Sequence, residues 1–183
     1  MVRKTGGNPI ELWIEAEVRD LKTGKVLEKR KWKSRSWRCA MIIKIKAMLS
    51  YTNIDSPTIT GELATIMREA GFYADASEGD DSYGIVVGIG TPGAYALGNK
   101  IPHGTGTGQL EYGAMNFGDL HDYAFDMWRN FVNVSGADIT VSECGVYVKQ
   151  GTYTFAIILD EISPPITVPD QASLRIVYTI KTV

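Results

Sequence analysis

Apolar and polar residues alternate along much of this 183-residue chain. From Glu11 to Val18, Leu12, Ile14, Ala16 and Val18 fall on one side, with Glu11, Glu15 and Glu17 on the other. Trp13 is the aromatic exception on the polar side. A period of two predicts a half-buried strand. Asp20-Leu21-Lys22-Thr23-Gly24-Lys25 is a turn, because Gly24 tolerates positive φ. Val26 to Trp32 then returns as the second strand of a hairpin, with Lys29, Lys31 and Lys33 on one face.

The period changes after the hairpin. Ser36 is placed to cap a helix running to about Tyr51. Trp37, Met41, Ile45 and Met48 recur at helical spacing, flanked by Ile42 and Leu49, while Arg38, Lys44 and Lys46 lie on the other side. That stripe is expected to cover a sheet. Pro57 interrupts the chain, and Gly61 to Ala70 is expected to form a short second helix. Residues 71–118 are the least regular, with one β-rich run from Tyr83 to Ile89 and a glycine-rich loop at Gly104 to Gly108. Four strands follow, at Asp122 to Val134, Asp138 to Val148, Thr152 to Asp160 and Ala172 to Thr182. Ser135-Gly136, Gln150-Gly151 and the stretch from Pro164 to Asp170 separate them. The expected fold is mostly β: one domain over 1–183, an antiparallel β-sandwich or jelly-roll-like barrel of about seven to nine strands. One amphipathic helix packs on it, and an insertion-like segment occupies about 52–81.

Composition supports a real core, with 44% hydrophobic and 22% charged residues. No run of eighteen apolar residues is present, so no membrane-spanning helix is expected. The first ten residues carry Arg3 and Lys4 but no apolar core of a secretory signal, so folding inside a cell is expected. Cys39 and Cys144 are too few for a disulfide framework; two buried thiols are the ordinary expectation and a bond between them the alternative. The net charge of −2 hides a segregation. Arg19 to Lys46 holds eleven Lys or Arg against Asp20 and Glu28, a local +9 that leaves −11 for the rest. Such a run suits nucleic acid or an acidic neighbouring subunit, and part of it is explained by a solvated strand face; it lacks the interleaved aromatics of single-strand binders, so nucleic acid is the less expected partner.

Little in the chain points to catalysis. His103 and His121 are the residues able to act as general bases near neutral pH. No nucleophile elbow, zinc-protease helix or Walker loop accompanies them. Gly88-Ile89-Gly90-Thr91-Pro92-Gly93 matches the spacing of a dinucleotide fingerprint, but Pro92 and the lack of a following helical period argue against it. No enzyme activity, catalytic residue or cofactor is expected. Carboxylates at Asp80 and Asp81, and at Asp119 and Asp122, are candidate calcium ligands, with solvated turns as the ordinary reading of both groups. Asn133-Val134-Ser135 has the form of a glycosylation sequon, though a strand-end turn before Gly136 accounts for it. Trp32, Trp37 and Trp128 are expected in the core rather than on a sugar-binding surface.

Several segments, taken in order, resemble small structural proteins of tailed phages and related viruses. Val18 to Val26 is similar to their EVRD-x-x-TGKV hairpin, followed here by the Trp37 to Ser50 helix. Gly84 to Thr91, Tyr95-Ala96-Leu97, Ile101 to Gly104 and Gly108 to Gly113 resemble the family's central stretch. Arg129 to Val141 resembles its R-x-F-x-N-x-SG-x-x-ITV run, and Glu143 to Tyr147, Leu159-Asp160, Pro164 to Pro169 and Val177 to Ile180 continue the likeness. The resemblance implies a virion structural protein in a tail, neck or capsid-decorating position, assembled in the host cytoplasm. Its partners would be copies of itself and other virion subunits. A host-surface or glycan-binding module on a particle, or a subunit of a self-assembling extracellular filament, are the alternatives. The basic stretch supplies the interface candidates Lys25, Lys29, Arg30, Lys31, Lys33 and Arg35.

Overall fold

The computed structural model describes residues 10–34 and 36–182. Its elements in chain order are β1 (Ile10–Asp20), β2 (Val26–Ser34), α1 (Cys39–Ser50), β3 (Ile54–Pro57), β4 (Leu63–Ile66), β5 (Gly84–Gly88), β6 (Glu111–Tyr112), β7 (Asn116–Phe117), β8 (Ala124–Asn133), β9 (Ile139–Gln150), β10 (Tyr153–Val168) and β11 (Ala172–Thr182). One sheet runs β2-β1-β11-β8-β6, with β7 also on β8, and a second runs β10-β9-β5. All these ladders are antiparallel. The result is the expected sandwich-like β fold with one helix, carrying more strands than expected because the insertion-like segment and the irregular middle contribute two short ones each.

The alternation in β1 sets the register. Leu12, Ile14, Ala16 and Val18 pair with Ile180, Tyr178, Ile176 and Leu174 on the inner face of β11. All but Ile180 are buried. A one-residue slip would expose the whole row, so burial fixes the pairing. From the second sheet, Cys144 Sγ lies 3.2 Å from the Tyr178 hydroxyl, and Asp160 accepts from Ser34 Oγ at 2.8 Å. These contacts join the layers.

Arg129 is the largest fully buried side chain, and it sits on the inner face of β8. Its Nε donates to Gly113 O at 2.6 Å. Nη1 donates to Tyr83 O and Ile85 O at 3.0 and 3.1 Å, and Nη2 to Ser77 O and Asp80 O at 3.1 and 2.6 Å. Five guanidinium donors thus meet five main-chain carbonyls, the full capacity of the group. The cation also lies 4.8 Å from the centre of the Tyr112 ring. Segments 77–85 and 113 have little ladder of their own, and this clamp ties them to the large sheet. A second clamp is Glu143, fully buried on β9, which accepts from Gly98 N and Asn99 N at 2.8 Å each. It needs the bare backbone of Gly88, where a Cβ would stand 2.5 Å from Glu143 Oε1.

Several expectations are corrected. Gly61 to Ala70 is not a helix: Leu63–Ile66 pairs with Ile54–Pro57 as a small hairpin, the burial of Ala64 and Ile66 following a period of two. The prolines at 164 and 165 do not end the strand; β10 continues to Val168 through an irregularity between Glu161 and Ile166. Gly145 pairs with Leu159 across the β9–β10 ladder, and its lack of a side chain admits the Ile158 carbonyl, 2.7 Å from where a Cβ would be. Trp128 is partly buried on the outer face, opposite Val177, with the Arg175 guanidinium 4.9 Å above its ring.

Arg129→Lys offers at most three donors to five buried carbonyls, and each unpaired buried group costs about 1–3 kcal/mol. We expect this variant to lower the urea midpoint by the equivalent of about 3 kcal/mol or more. An unchanged midpoint would show that the clamp does not hold the fold.

Candidate functional site

Helix α1 is rotated from its expected orientation: of the expected stripe, Trp37 and Met41 pack partly buried against the core, but Ile45 and Met48 do not. Its buried residues are Ala40, Lys44 and Ala47, which face β3, β4 and β10. The two alanines let the helix sit close, and the Lys44 stem crosses the contact to bring Nζ to Met67 O at 2.7 Å and to Ala70 O. Nζ is also 5.3 Å from the centre of the Phe72 ring, and burial pushes the Lys44 pKa down. The expected cap is absent: Arg38 occupies the N-cap position without a side-chain bond, while Ser36 Oγ donates to Asp160. With the small face inward and Met41 and Ile43 beside it partly buried, the other large residues point to solvent. Leu49 is 84% exposed, Ile42 60% and Met48 59%, and Ile45 is exposed with them. Leu63, Met67 and Tyr51 are exposed nearby in the chain, and Lys46 is an exposed cation of the helix. With side-chain areas of roughly 200 Å² each, the four helix residues present on the order of 500 Å², near the upper end for a free surface.

A second apolar surface lies at the β7–β8 connection. His121 and Ala124 exchange backbone hydrogen bonds of 2.8 and 2.6 Å, so Asp122 and Tyr123 form a two-residue hairpin turn. Both have positive φ, 44° and 59°. Such a turn favours Asn-Gly, and a side chain as large as Tyr there is strained by roughly 1–2 kcal/mol. Tyr123 is 81% exposed, Leu120 76%, and Phe117 is exposed too. Asp119 and Asp122 are exposed on the same loop.

The basic interface candidates are mostly matched within the chain. On the outer face, Lys29 pairs with Glu15 at 2.7 Å and Glu17 at 3.3 Å, and Glu11 pairs with Lys33 and, at 3.3 Å, Lys181. The cations of β2 and β11 thus flank the acids of β1. The Lys33 contact, with the Trp13 indole N–H as a further donor, pulls the Glu11 pKa down to about 2. Arg30 points inward, pairing with Glu28 and donating to Pro164 O and, at 3.1 Å, to Pro165 O. Lys31 borders a recess of about 210 Å³ with Trp13, Thr179 and Lys181. Lys25 lies in the exposed turn, and Arg35 falls outside the described residues.

The candidate calcium ligands are not brought together. Asp80 accepts from Ser82 and lies 3.6 Å from Lys149 Nζ; Asp81 pairs with Lys100 at 2.8 Å and accepts from His103 N. Burial pushes both carboxyls up, but these partners outweigh it and hold them below the usual range. Among the described residues no group of three or more His, Cys, Asp or Glu is placed to hold a metal ion. His103 Nδ1 accepts from Tyr112 N at 3.1 Å, and His121 lies in the hairpin turn. Asn133 is fully buried, its amide donating to Ala137 O and Val168 O, which keeps the sequon from modification in the folded chain. Both cysteines are free, Cys144 buried and Cys39, against expectation, exposed at the start of α1.

Asp160 is buried beneath β2 and β11, accepting from Ser34 and Ser36, with the Tyr178 hydroxyl at 3.5 Å. Burial outweighs these donors and raises its pKa. A raised carboxyl favours the protonated native state, so its contribution is fully present below the ordinary value of 3.8 and is lost as pH rises through the folded pKa. Urea titrations of wild type and Asp160→Asn should therefore show the variant gaining on wild type as pH rises from 3.8. A gap independent of pH would exclude this role. At the loop tip, Tyr123→Gly relieves the backbone strain, and unfolding should be unchanged or harder by up to about 1 kcal/mol; a clear loss of stability would mean that the ring holds the turn.

No protein-family model, curated protein or solved structure matches the chain.

Proposed function

We propose that this protein is a structural subunit that assembles with copies of itself and with neighbouring subunits of a virus particle, in a tail, neck or capsid-decorating position. The observation that carries assembly is the exposed apolar face of α1. A helix that is apolar on both sides belongs in an interior, and here one side has its interior within the chain while the other does not. The virion setting is supported by the ordered resemblance of the hairpin, central and C-terminal segments to phage structural proteins. Buried polar groups fit a scaffold: Arg129, Glu143 and Lys44 all hold main-chain groups in place.

The contact is expected to be chiefly apolar, because Lys29 and Lys33 are already matched by Glu15, Glu17 and Glu11. Light scattering over a concentration series should show a species heavier than the 20.1 kDa chain. It should persist when salt is raised, since screening weakens exposed ion pairs and not apolar burial. Ile45→Lys combined with Leu49→Lys should reduce it to a monomer while leaving urea unfolding nearly unchanged. A wild-type monomer at every concentration would exclude self-assembly.

A further inference from the structure

We propose that the assembly contact is head-to-tail: the β7–β8 tip of one copy seats on the α1 face of the next. This rests on the self-assembly reading above and specifies its geometry. Three observations support it. The first is chemical matching. The tip presents Leu120 and Tyr123 with Asp119 and Asp122 beside them, and the helix presents Ile42, Ile45 and Leu49 with Lys46 beside them. Apolar centres therefore meet while acids face a cation. A two-fold α1–α1 contact would instead bring Lys46 of one copy towards Lys46 of the other, with no acidic residue in the helix to offset them.

The second observation is the strain at Tyr123. A turn that would be easier with glycine holds an aromatic ring in solvent, with Tyr123 O accepting from Thr182 N to anchor the tip on β11. An outlier of this kind points to a function for the ring outside its own fold. The third is size and placement. At roughly 200 Å² per side chain, Phe117, Leu120 and Tyr123 expose about 400 Å², so joining the patches covers about 900 Å² of apolar surface, to which the flanking charged residues add, near the lower bound of a specific contact. In one chain the patches sit apart, α1 along the outer edge of β10 and the tip at the β7–β8 side of the other sheet. A contact between two different surfaces leaves one of each free, so it propagates into a ring or a filament.

The test uses two variants of the whole chain, each first shown by urea unfolding to be folded. The tip variant is Leu120→Ser with Tyr123→Gly, and the face variant is Ile45→Lys with Leu49→Lys. Each alone should be monomeric by light scattering. Mixed, they should form dimers and nothing larger, because the tip variant keeps a working face and the face variant a working tip. A thiol dye on exposed Cys39 of one variant reports whether each dimer holds one of each. An oligomeric wild type whose tip variant still associates would overturn the head-to-tail contact while leaving self-assembly standing. Two monomeric variants that fail to combine would overturn it as well. A monomeric wild type would overturn both.

Discussion

The Arg129 guanidinium is the point at which the irregular half of the molecule is attached to the regular half. The large sheet is held by ladders and by the apolar rows of β1 and β11, and these follow from a simple alternation. Residues 77–85 and 113 have only the start of β5 as ladder, so several of their carbonyls have few other partners. One cation with five N–H groups answers five of them, and its planar fork fixes their relative positions. Among the described residues no carboxylate accepts from it; its charge is shared among carbonyl dipoles and the Tyr112 ring. Glu143 does the complementary task on the second sheet, where an acid gathers the N–H groups of Gly98 and Asn99. Loops of opposite polarity are thereby held by opposite charges.

That rigidity has a consequence at the surface. The outer face of the large sheet is a lattice in which the acids of β1 lie between the cations of β2 and β11, leaving little unmatched charge for a partner. Prominent among the exposed apolar surfaces are the outward side of α1 and the tip of the β7–β8 hairpin. Both are mounted on supported backbone, α1 through Lys44 and the tip through the turn bonds of His121 and Ala124. These two separate apolar patches are the features on which the proposed assembly role rests.

Much of the β framework was legible because a period of two survives any tertiary arrangement. β1, β2, β5, β8, β9 and β11 fall where alternation and turn residues place them. The failures share a cause. The 61–70 segment is too short for periodicity to separate helix from strand, and pairing with 54–57 decided it. The prolines at 164 and 165 read as a connection, yet an edge strand tolerates them where a ladder bond is not required. The tip was missed because Tyr123 stands where an Asp-Gly hairpin signal has its glycine, and Arg129 because a lone Arg in a strand reads as solvated.

The sequence by itself determined the class of fold, the hairpin at the start, which face of β1 is buried and the overall balance of charge, since each depends on neighbours close in the chain or on the two faces of a strand. Only the tertiary structure decided which side of α1 is inside. Hydrophobicity favours burying Ile42, Ile45 and Leu49, but the space beside β10 and the β3–β4 hairpin is filled by Ala40 and Ala47, with Lys44 reaching carbonyls that would otherwise lack a donor. Close packing and main-chain hydrogen bonding, both set by residues distant in sequence, outweighed the apolar stripe and left it facing outward.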